Sequence, residues 1–280
     1  MQSSATSPIQ DYPQLAFIGA GNMARSIIGG LVQKGYPPER ISASDTKPEP
    51  LAQMESDFGI ATGDNLQVAR AADGVVLAVK PQVMGEVAQD LRPALEHKPL
   101  LISIAAGIHS ASLSRWLGED QALVRCMPNT PSLVKAGACG LFANARTSER
   151  QKAIAERIMS AVGLALWLDD EALLDSVTAV SGSGPAYFFL VMEAMIEAGT
   201  DLGLSRENAT QLTLQTALGA AQLAQQGETP VAELRRRVMS PGGTTEAAIH
   251  SFEQDQLRAI FKRAMTACAQ RSASLAREFN

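Results

Sequence analysis

Two glycine-rich stretches, far apart in the chain, are the segments best suited to chemistry. The first is Gly19-Ala20-Gly21-Asn22-Met23-Ala24. It follows the apolar run Leu15–Ile18 and precedes a helical pattern. In such a G-x-G-x-x-A turn the first glycine permits the tight bend, and the second lets a pyrophosphate approach the backbone. Ala24 takes the place of a third glycine at the helix–sheet contact. The helix start adds free N–H groups and the positive end of a dipole. The second stretch is Val238–Ile249, VMSPGGTTEAAI. It holds hydroxyls, two glycines and a helix start, but no histidine, cysteine, lysine or aspartate. A loop of that kind can grip an anion with backbone N–H groups, and it leaves little room for acid–base catalysis.

Other candidates cluster at the ends of apolar runs. Ser44-Asp45-Thr46-Lys47 closes the second run. Asp45 there suits a ribose 2′-hydroxyl, whereas Ser44, Thr46 and Lys47 suit a 2′-phosphate, and the two signals conflict. Ala78-Val79-Lys80-Pro81-Gln82 closes another run, with Lys80 as a candidate cofactor contact or a solvated lysine. In Arg125-Cys126-Met127-Pro128-Asn129-Thr130-Pro131 two prolines stiffen a loop, and Asn129 offers an amide donor and acceptor. Cys126 reads as packing, since no histidine is near it in sequence. Ser181–Gly184, followed by Pro185-Ala186-Tyr187, reads either as a tight loop at a site or as a connector into a core helix. His97, His109 and His250 have no metal spacing, so no metal is expected. Arg235-Arg236-Arg237 reads as an exposed helix face, with Arg237 best placed to meet a carboxylate.

The elements that must position these residues come in two textures. Between Leu15 and Trp167, seven short apolar runs alternate with helical patterns at Asn22–Gln33, Glu49–Phe58, Pro81–Leu91, Ser110–Leu117 and Ser148–Val162. The runs are Leu15–Ile18, Ile41–Ser44, Val75–Val79, Leu100–Ile104, Ala122–Met127, Cys139–Phe142 and Ala165–Trp167. This alternation predicts a mainly parallel sheet covered by helices on both faces. From Asp169 onward the chain reads as helix: Leu173–Val180, Pro185–Leu202, Arg206–Gln226, Val231–Met239, Thr245–Gln254 and Leu257–Glu278. The expected division is a lead-in without structure over 1–13, an α/β domain over 14–168 and a helical domain over 169–280. The small side chains of Ala217, Gly219, Ala220, Ala221 and Ala224 make one helix thin enough to be buried on several faces, as a second subunit would do.

Composition sets the outer bounds. The chain has 280 residues, 46% hydrophobic and 19% charged, with a net charge of -5. Such values fit a globular protein and give no sign of a nucleic-acid or membrane-surface partner. No stretch of about 18 apolar residues is evident, so no membrane span is expected. Met1–Pro8 lacks the features of a signal peptide. Three cysteines without a CxxC pair suit a reducing compartment, hence the cytoplasm.

Taken together, five motifs resemble the pyrroline-5-carboxylate reductase family. They are Phe17–Ala24, Ala78–Pro81, Arg125–Pro131, Ser181–Tyr187 and Ser240–Thr245, in the family's order, and the resemblance spans nearly the whole chain. It implies an α/β Rossmann-type domain followed by an all-α dimerisation domain. It also implies an intertwined dimer, with rings of dimers in many members, and an active site between the nucleotide domain and helical domains. The implied reaction is NAD(P)H-dependent reduction of 1-pyrroline-5-carboxylate to L-proline. NADPH is the commoner reductant and NADH remains possible. The positions implied at the cofactor are Ile18, Gly19, Ala20, Gly21, Asn22, Met23, Asp45, Asn65, Val79, Lys80 and Ala106; the residue reading adds Ser44, Ala78 and Asn129. Those implied at the substrate are Glu171, Thr244 and Thr245.

That substrate, a small ring with an imine and a carboxylate, removes the puzzle of the second loop. Once the imine is protonated by solvent or a bound water, the protein needs mainly to position it, recognise its carboxylate and exclude water. Gly242 and Gly243 are expected to present N–H groups, and Thr244 or Thr245 to open the next helix. Thr245 is the expected catalytic residue, with its hydroxyl near the ring nitrogen; Ser181 is expected at the substrate. Two other functions compete. A β-hydroxyacid dehydrogenase would want a lysine from the helical region, yet none lies between Lys152 and Lys262. A non-catalytic NAD(P)-binding sensor would not need the two glycine-rich motifs of the helical region.

Overall fold

The computed structural model describes residues 12–279. The chain divides into two compact units, one holding the residues up to Gly182 together with 269–280, the other Ser183–Cys268. In the first unit, among the described residues, eight strands form one sheet. They are β1 (Leu15–Ile18), β2 (Ile41–Ser44), β3 (Ala61–Thr62), β4 (Gly74–Leu77), β5 (Leu100–Ser103), β6 (Leu123–Met127), β7 (Gly137–Ala143) and β8 (Gly163–Trp167). Their order is β3-β2-β1-β4-β5-β6-β7-β8, and every neighbouring pair is parallel except β6–β7. The register sets Phe17 beside Ala43 on one side and Val76 on the other.

Strands β1 and β4 are buried along their whole length, as uninterrupted apolar runs in a parallel sheet must be. Alternate residues feed two cores. Leu15, Phe17, Val76 and Ile102 pack with Ala24, Ile27 and Ile28 of α1 (Asn22–Gln33), Met54 of α2 (Pro48–Phe58) and, further along, α6 (Glu149–Ser160). On the opposite face Ala16, Ile18, Val75 and Leu77 pack with α3 (Asn65–Arg70), α4 (Met84–Leu91) and α5 (Ser110–Leu117). The result is a helix–sheet–helix sandwich. Helix α6 opens with a reciprocal cap between Ser148 and Gln151.

After β8 the chain runs through α7 (Leu173–Val177) and a π-helical turn, Thr178–Gly182, both packed against β7. The second unit holds α8 (Gly184–Asp201), α9 (Arg206–Gln226), α10 (Val231–Arg237), α11 (Thr244–Gln254) and most of α12 (Leu257–Phe279). The last turns of α12 belong to the first unit. There the Ser272 hydroxyl donates to Asp175 Oδ1 at 2.6 Å, and Ala276 is buried.

Several expectations shift. The units divide at Gly182 rather than at 168, because α7 and the π turn stay on the sheet although they are helical in pattern. Tyr12 and Pro13, expected in the lead-in, belong to the first unit: Tyr12 stacks edge-on to Tyr36 at 4.9 Å, and the Tyr36 hydroxyl donates to the Pro13 carbonyl at 2.5 Å. Residues 1–11 lie outside the described residues. Strand β3 and helix α3 were not foreseen, and the helix expected from Pro81 opens as a 3-10 turn, Pro81–Val83. One run is longer and more apolar than the sequence reading allowed. Leu173–Asp201 spans 29 residues with a mean hydropathy of 1.3 in its most apolar window, enough by length and composition to cross a membrane. Its first turns pack on β7, which gives them a protein partner instead.

Candidate functional site

In the first unit the carboxyl ends of β1, β2, β4 and β5 lie side by side, and the expected cofactor residues sit at or just beyond them. Ile18 ends β1, and Gly19 follows at φ +102°, a conformation suited to glycine. A Cβ on Gly19 would meet the Ala78 carbonyl oxygen at 2.8 Å, whereas one on Gly21 would meet nothing within 4 Å. The first glycine is therefore required by crowding, and the second opens onto free space. Gly21 caps α1 without any side-chain partner, at a cleft of about 540 Å³ lined by Ala20, Gly21, Asn22, Arg25 and residues of α2. An uncapped helix start behind an open glycine fits the pyrophosphate of a dinucleotide. Asn22 is exposed and Met23 half-buried beside it.

Asp45 has an unexpected partner. Its carboxylate accepts from Ala20 N at 2.8 Å and from Lys47 N at 2.9 Å, tying the end of β2 to the glycine-rich loop. Ser44 is fully buried, and its hydroxyl donates to Asn65 Oδ1 at 2.6 Å. Ser44 therefore cannot hold a 2′-phosphate, as one reading of the sequence had it; it positions Asn65. Thr46 and Lys47 remain exposed at that rim. Ala78 is bonded through its N–H to the Ile18 carbonyl at 2.8 Å, Val79 is half-buried, and Lys80 is exposed at the end of this segment. Ala106 is exposed beyond β5, whose end is pinned to β4 by Ile104 N donating to Leu77 O at 3.1 Å.

Asn129, expected at the cofactor, has a different task. Its Oδ1 accepts from Ala138 N and its Nδ2 donates to the Ser181 carbonyl, both at 2.9 Å. The buried amide thus fastens the π turn to the start of β7. Ser181 is half-buried in that turn, its hydroxyl donating to Val177 O at 3.1 Å. Cys126 is buried beside Cys139, and burial pushes its thiol well up, as suits a packing residue.

Glu171 sits among partners that the sequence did not connect to it. Its carboxylate accepts from Ser110 N at 2.7 Å and from the Ser110 hydroxyl at 2.6 Å, and it pairs with the buried guanidinium of Arg125 at 2.5 Å. His109 Nδ1 lies 3.7 Å away. Burial pushes the carboxyl up, but the bonds from Ser110 and Arg125 outweigh it and leave Glu171 below its ordinary value.

The second unit holds the other expected half. Gly242 lies at φ +71°, and Gly243 caps α11. The N–H groups of these glycines are not the open donors expected of them. Gly242 N donates to Glu246 Oε2 at 2.7 Å and Gly243 N to Ser240 O at 2.9 Å. Gly243 is required by crowding, since a Cβ there would lie 2.9 Å from the Ser240 carbonyl oxygen as well as against its side chain. The first i→i−4 bond of α11 is donated by Ala247 to Gly243 O, so the N–H groups of Thr244, Thr245 and Glu246 precede the helical ladder. No side chain caps this start. Glu246 was overlooked although its place, three residues past the cap, is where a reaching carboxylate is found. Arg236 and Arg237 pair with Glu233 on the surface. The Tyr187 phenol is pushed up by burial and by Cys268, which makes it a poorer proton donor. Among the described residues no cluster of His, Cys, Asp or Glu could hold a metal ion.

Known proteins align with both units. A family model for pyrroline-5-carboxylate reductase dimerisation matches residues 171–275, and one for coenzyme F420-dependent NADP oxidoreductases matches 14–107. A pyrroline-5-carboxylate reductase of Pseudomonas aeruginosa is 57% identical over 267 residues, covering 95% of this chain and 98% of that one. The structure of a pyrroline-5-carboxylate reductase from Coxiella burnetii superposes with a TM-score of 0.92 at 47% identity, covering 95% and 99% of the two chains. That of the Plasmodium falciparum pyrroline carboxylate reductase with NADP bound gives 0.83 at 30% identity, covering 94% and 98%.

Proposed function

We propose a mechanism from one premise: the chain belongs to the pyrroline-5-carboxylate reductase family, and it reduces 1-pyrroline-5-carboxylate to L-proline with a nicotinamide cofactor. NADPH is the proposed reductant, and when bound it supplies the hydride. Ile18–Met23 would hold the dinucleotide, with the uncapped start of α1 taking its pyrophosphate. Asp45, Asn65, Ala78, Val79, Lys80 and Ala106 border it. The preference for NADPH is supported by Asp45 facing the backbone of the glycine-rich loop while Lys47 and Thr46 stand open at the rim. NADH remains the alternative reductant.

The substrate carboxylate sits on the first turn of α11. The observation that carries this assignment is the uncapped start at Gly243, with Thr244 and Thr245 N–H groups ahead of the ladder. Those donors and the helix dipole favour an anion without any cationic side chain. Gly242 and Gly243 shape the loop, and Glu246 holds it by accepting from Gly242 N. Thr245 Oγ1 is placed near the ring nitrogen, which reaches the site protonated by solvent. The protonated C=N bond held there would accept that hydride at carbon, its π electrons passing to nitrogen, to give the secondary amine. The chain's share is positioning and water exclusion.

With the family shown, neither a β-hydroxyacid dehydrogenase nor a non-catalytic NAD(P) sensor is retained. The proposal extends to an intertwined dimer assembled into rings, supported by the dimerisation segment. It also extends to the cytoplasm, supported by free thiols at Cys126, Cys139 and Cys268. The test is steady-state reduction of 1-pyrroline-5-carboxylate by the purified chain, with NADPH and NADH at matched concentrations. A higher kcat/KM with NADPH is expected, and Thr245→Ala should lower kcat/KM for the imino acid about tenfold or more. Equal or better turnover with NADH would refute the cofactor choice, and unchanged kinetics in Thr245→Ala would remove that residue's role.

A further inference from the structure

We infer that Glu171 and Ser110 form a clasp that sets the loop between β5 and α5, so that Glu171 serves the reaction as a positioning residue for the cofactor and not as a ligand of the substrate. This rests on the proposal that the dinucleotide lies along the carboxyl edge of the first unit's sheet.

Between the end of β5 at Ser103 and the start of α5 at Ser110 lie six residues, among them exposed Ala106 and Gly107 at φ +75°. One end of the loop is anchored where Ile104 N donates to Leu77 O of the adjacent strand β4. The other end is anchored at Ser110, the first residue of α5, by two bonds to one carboxylate. Glu171 thus satisfies an orphan amide at the start of α5 from a segment 61 residues away, with the charge sign that the helix dipole favours.

The remaining valence of that carboxylate is directed at the protein. Arg125, buried at the middle of β6 and paired in register with Ser103 of β5, bonds Oε1 and so holds the clasp to the sheet. His109, the residue before α5, stands near both charges. The substrate is itself an anion. A carboxylate committed to Ser110 N, Ser110 Oγ and Arg125 offers it no donor, whereas a loop held at both ends offers the nicotinamide a fixed wall. Small displacements of such a wall cost binding and rate even when no contacting residue has changed.

The experiment uses the full chain and NADPH itself. Dissociation constants for NADPH come from fluorescence titration of the parent, Glu171→Gln, Ser110→Ala and the double variant. KM for 1-pyrroline-5-carboxylate is measured in each at saturating NADPH. Each single variant should raise the NADPH Kd about tenfold, the double no further than the weaker single binder, and the imino-acid KM should stay within about twofold. A raised imino-acid KM with an unchanged NADPH Kd would overturn the inference in favour of direct substrate contact. An unchanged Kd in both single variants would overturn it as well. If Glu171→Gln does not fold, Ser110→Ala decides alone, since it removes one bond and no charge. A Gly21→Leu control separates the two readings: its side chain enters the cleft at α1, so undiminished NADPH binding there would fail the cofactor placement, not the clasp.

Discussion

Glu171 carries a charge that helps only while its partners are folded around it. Its carboxyl is held below its ordinary value by Ser110 and Arg125 against the opposing pull of burial. A depressed folded value adds stability above the unfolded carboxyl value, about 4.3, and that contribution is lost as pH falls through the folded value. Glu171→Gln should therefore be less stable than the parent by about 1–3 kcal/mol near neutral pH, in urea unfolding followed by circular dichroism. The gap should narrow as pH falls below the unfolded carboxyl value and on through the lower folded one, where the parent's carboxylate takes up its proton. A gap that stays constant over that range would mean that the clasp draws nothing from the charge. Little of this was legible in the sequence. The glycine-rich turn announced itself because its spacing is local, whereas Ser110, Arg125 and Glu171 are separated by 15 to 61 positions and meet only through the sheet order.

At the scale of elements, what could be read depended on length and on local caps. The strands β1 and β2 and the periodic helices α1, α5 and α9 are foreseen with the bounds observed. Strand β3 has two residues and no apolar run, so no period exists to detect. Helix α3 has six residues; its one signal was Asp64, whose side chain accepts from Gln67 N and caps the helix. The loop before α11 was recognised as functional, but its donors were assigned to the wrong residues. Composition marked the glycines, and only the fold revealed that both use their N–H groups internally. Gly242 is accordingly a shaping residue. Alanine there must adopt φ +71°, at a cost of about 1–2 kcal/mol, or distort the start of α11. Gly242→Ala should raise the KM for 1-pyrroline-5-carboxylate about tenfold and leave the NADPH Kd unchanged. A loss confined to NADPH binding would contradict the division of labour proposed for the two loops.

For the whole molecule, the helical unit of a single chain is unfinished. Only Ala209 and Thr213 are buried along α9, while Leu212 and Leu218 are 57% and 52% exposed and Phe188 of α8 is 67% exposed. The thin, alanine-rich helix expected to be buried on several faces is thus open in one copy, and the family's dimerisation segment includes all of it. Covering a large apolar side chain is worth about 1.5–3 kcal/mol. Replacing Leu212 and Leu218 together with glutamate should weaken self-association about a hundredfold or more, read as a concentration-dependent mass in light scattering. An assembly unchanged at micromolar concentration would show that this face is not the one covered.

The return of the last turns of α12 to the first unit has a consequence for how the chain is made. Asp175 waits 97 positions for Ser272, so the sheet-bearing unit can acquire this contact only after the intervening helical unit has left the ribosome. Closing so large a loop is slow relative to local contacts. An emerging nascent chain therefore carries a first unit that lacks this contact until the helical unit Ser183–Cys268 has been made.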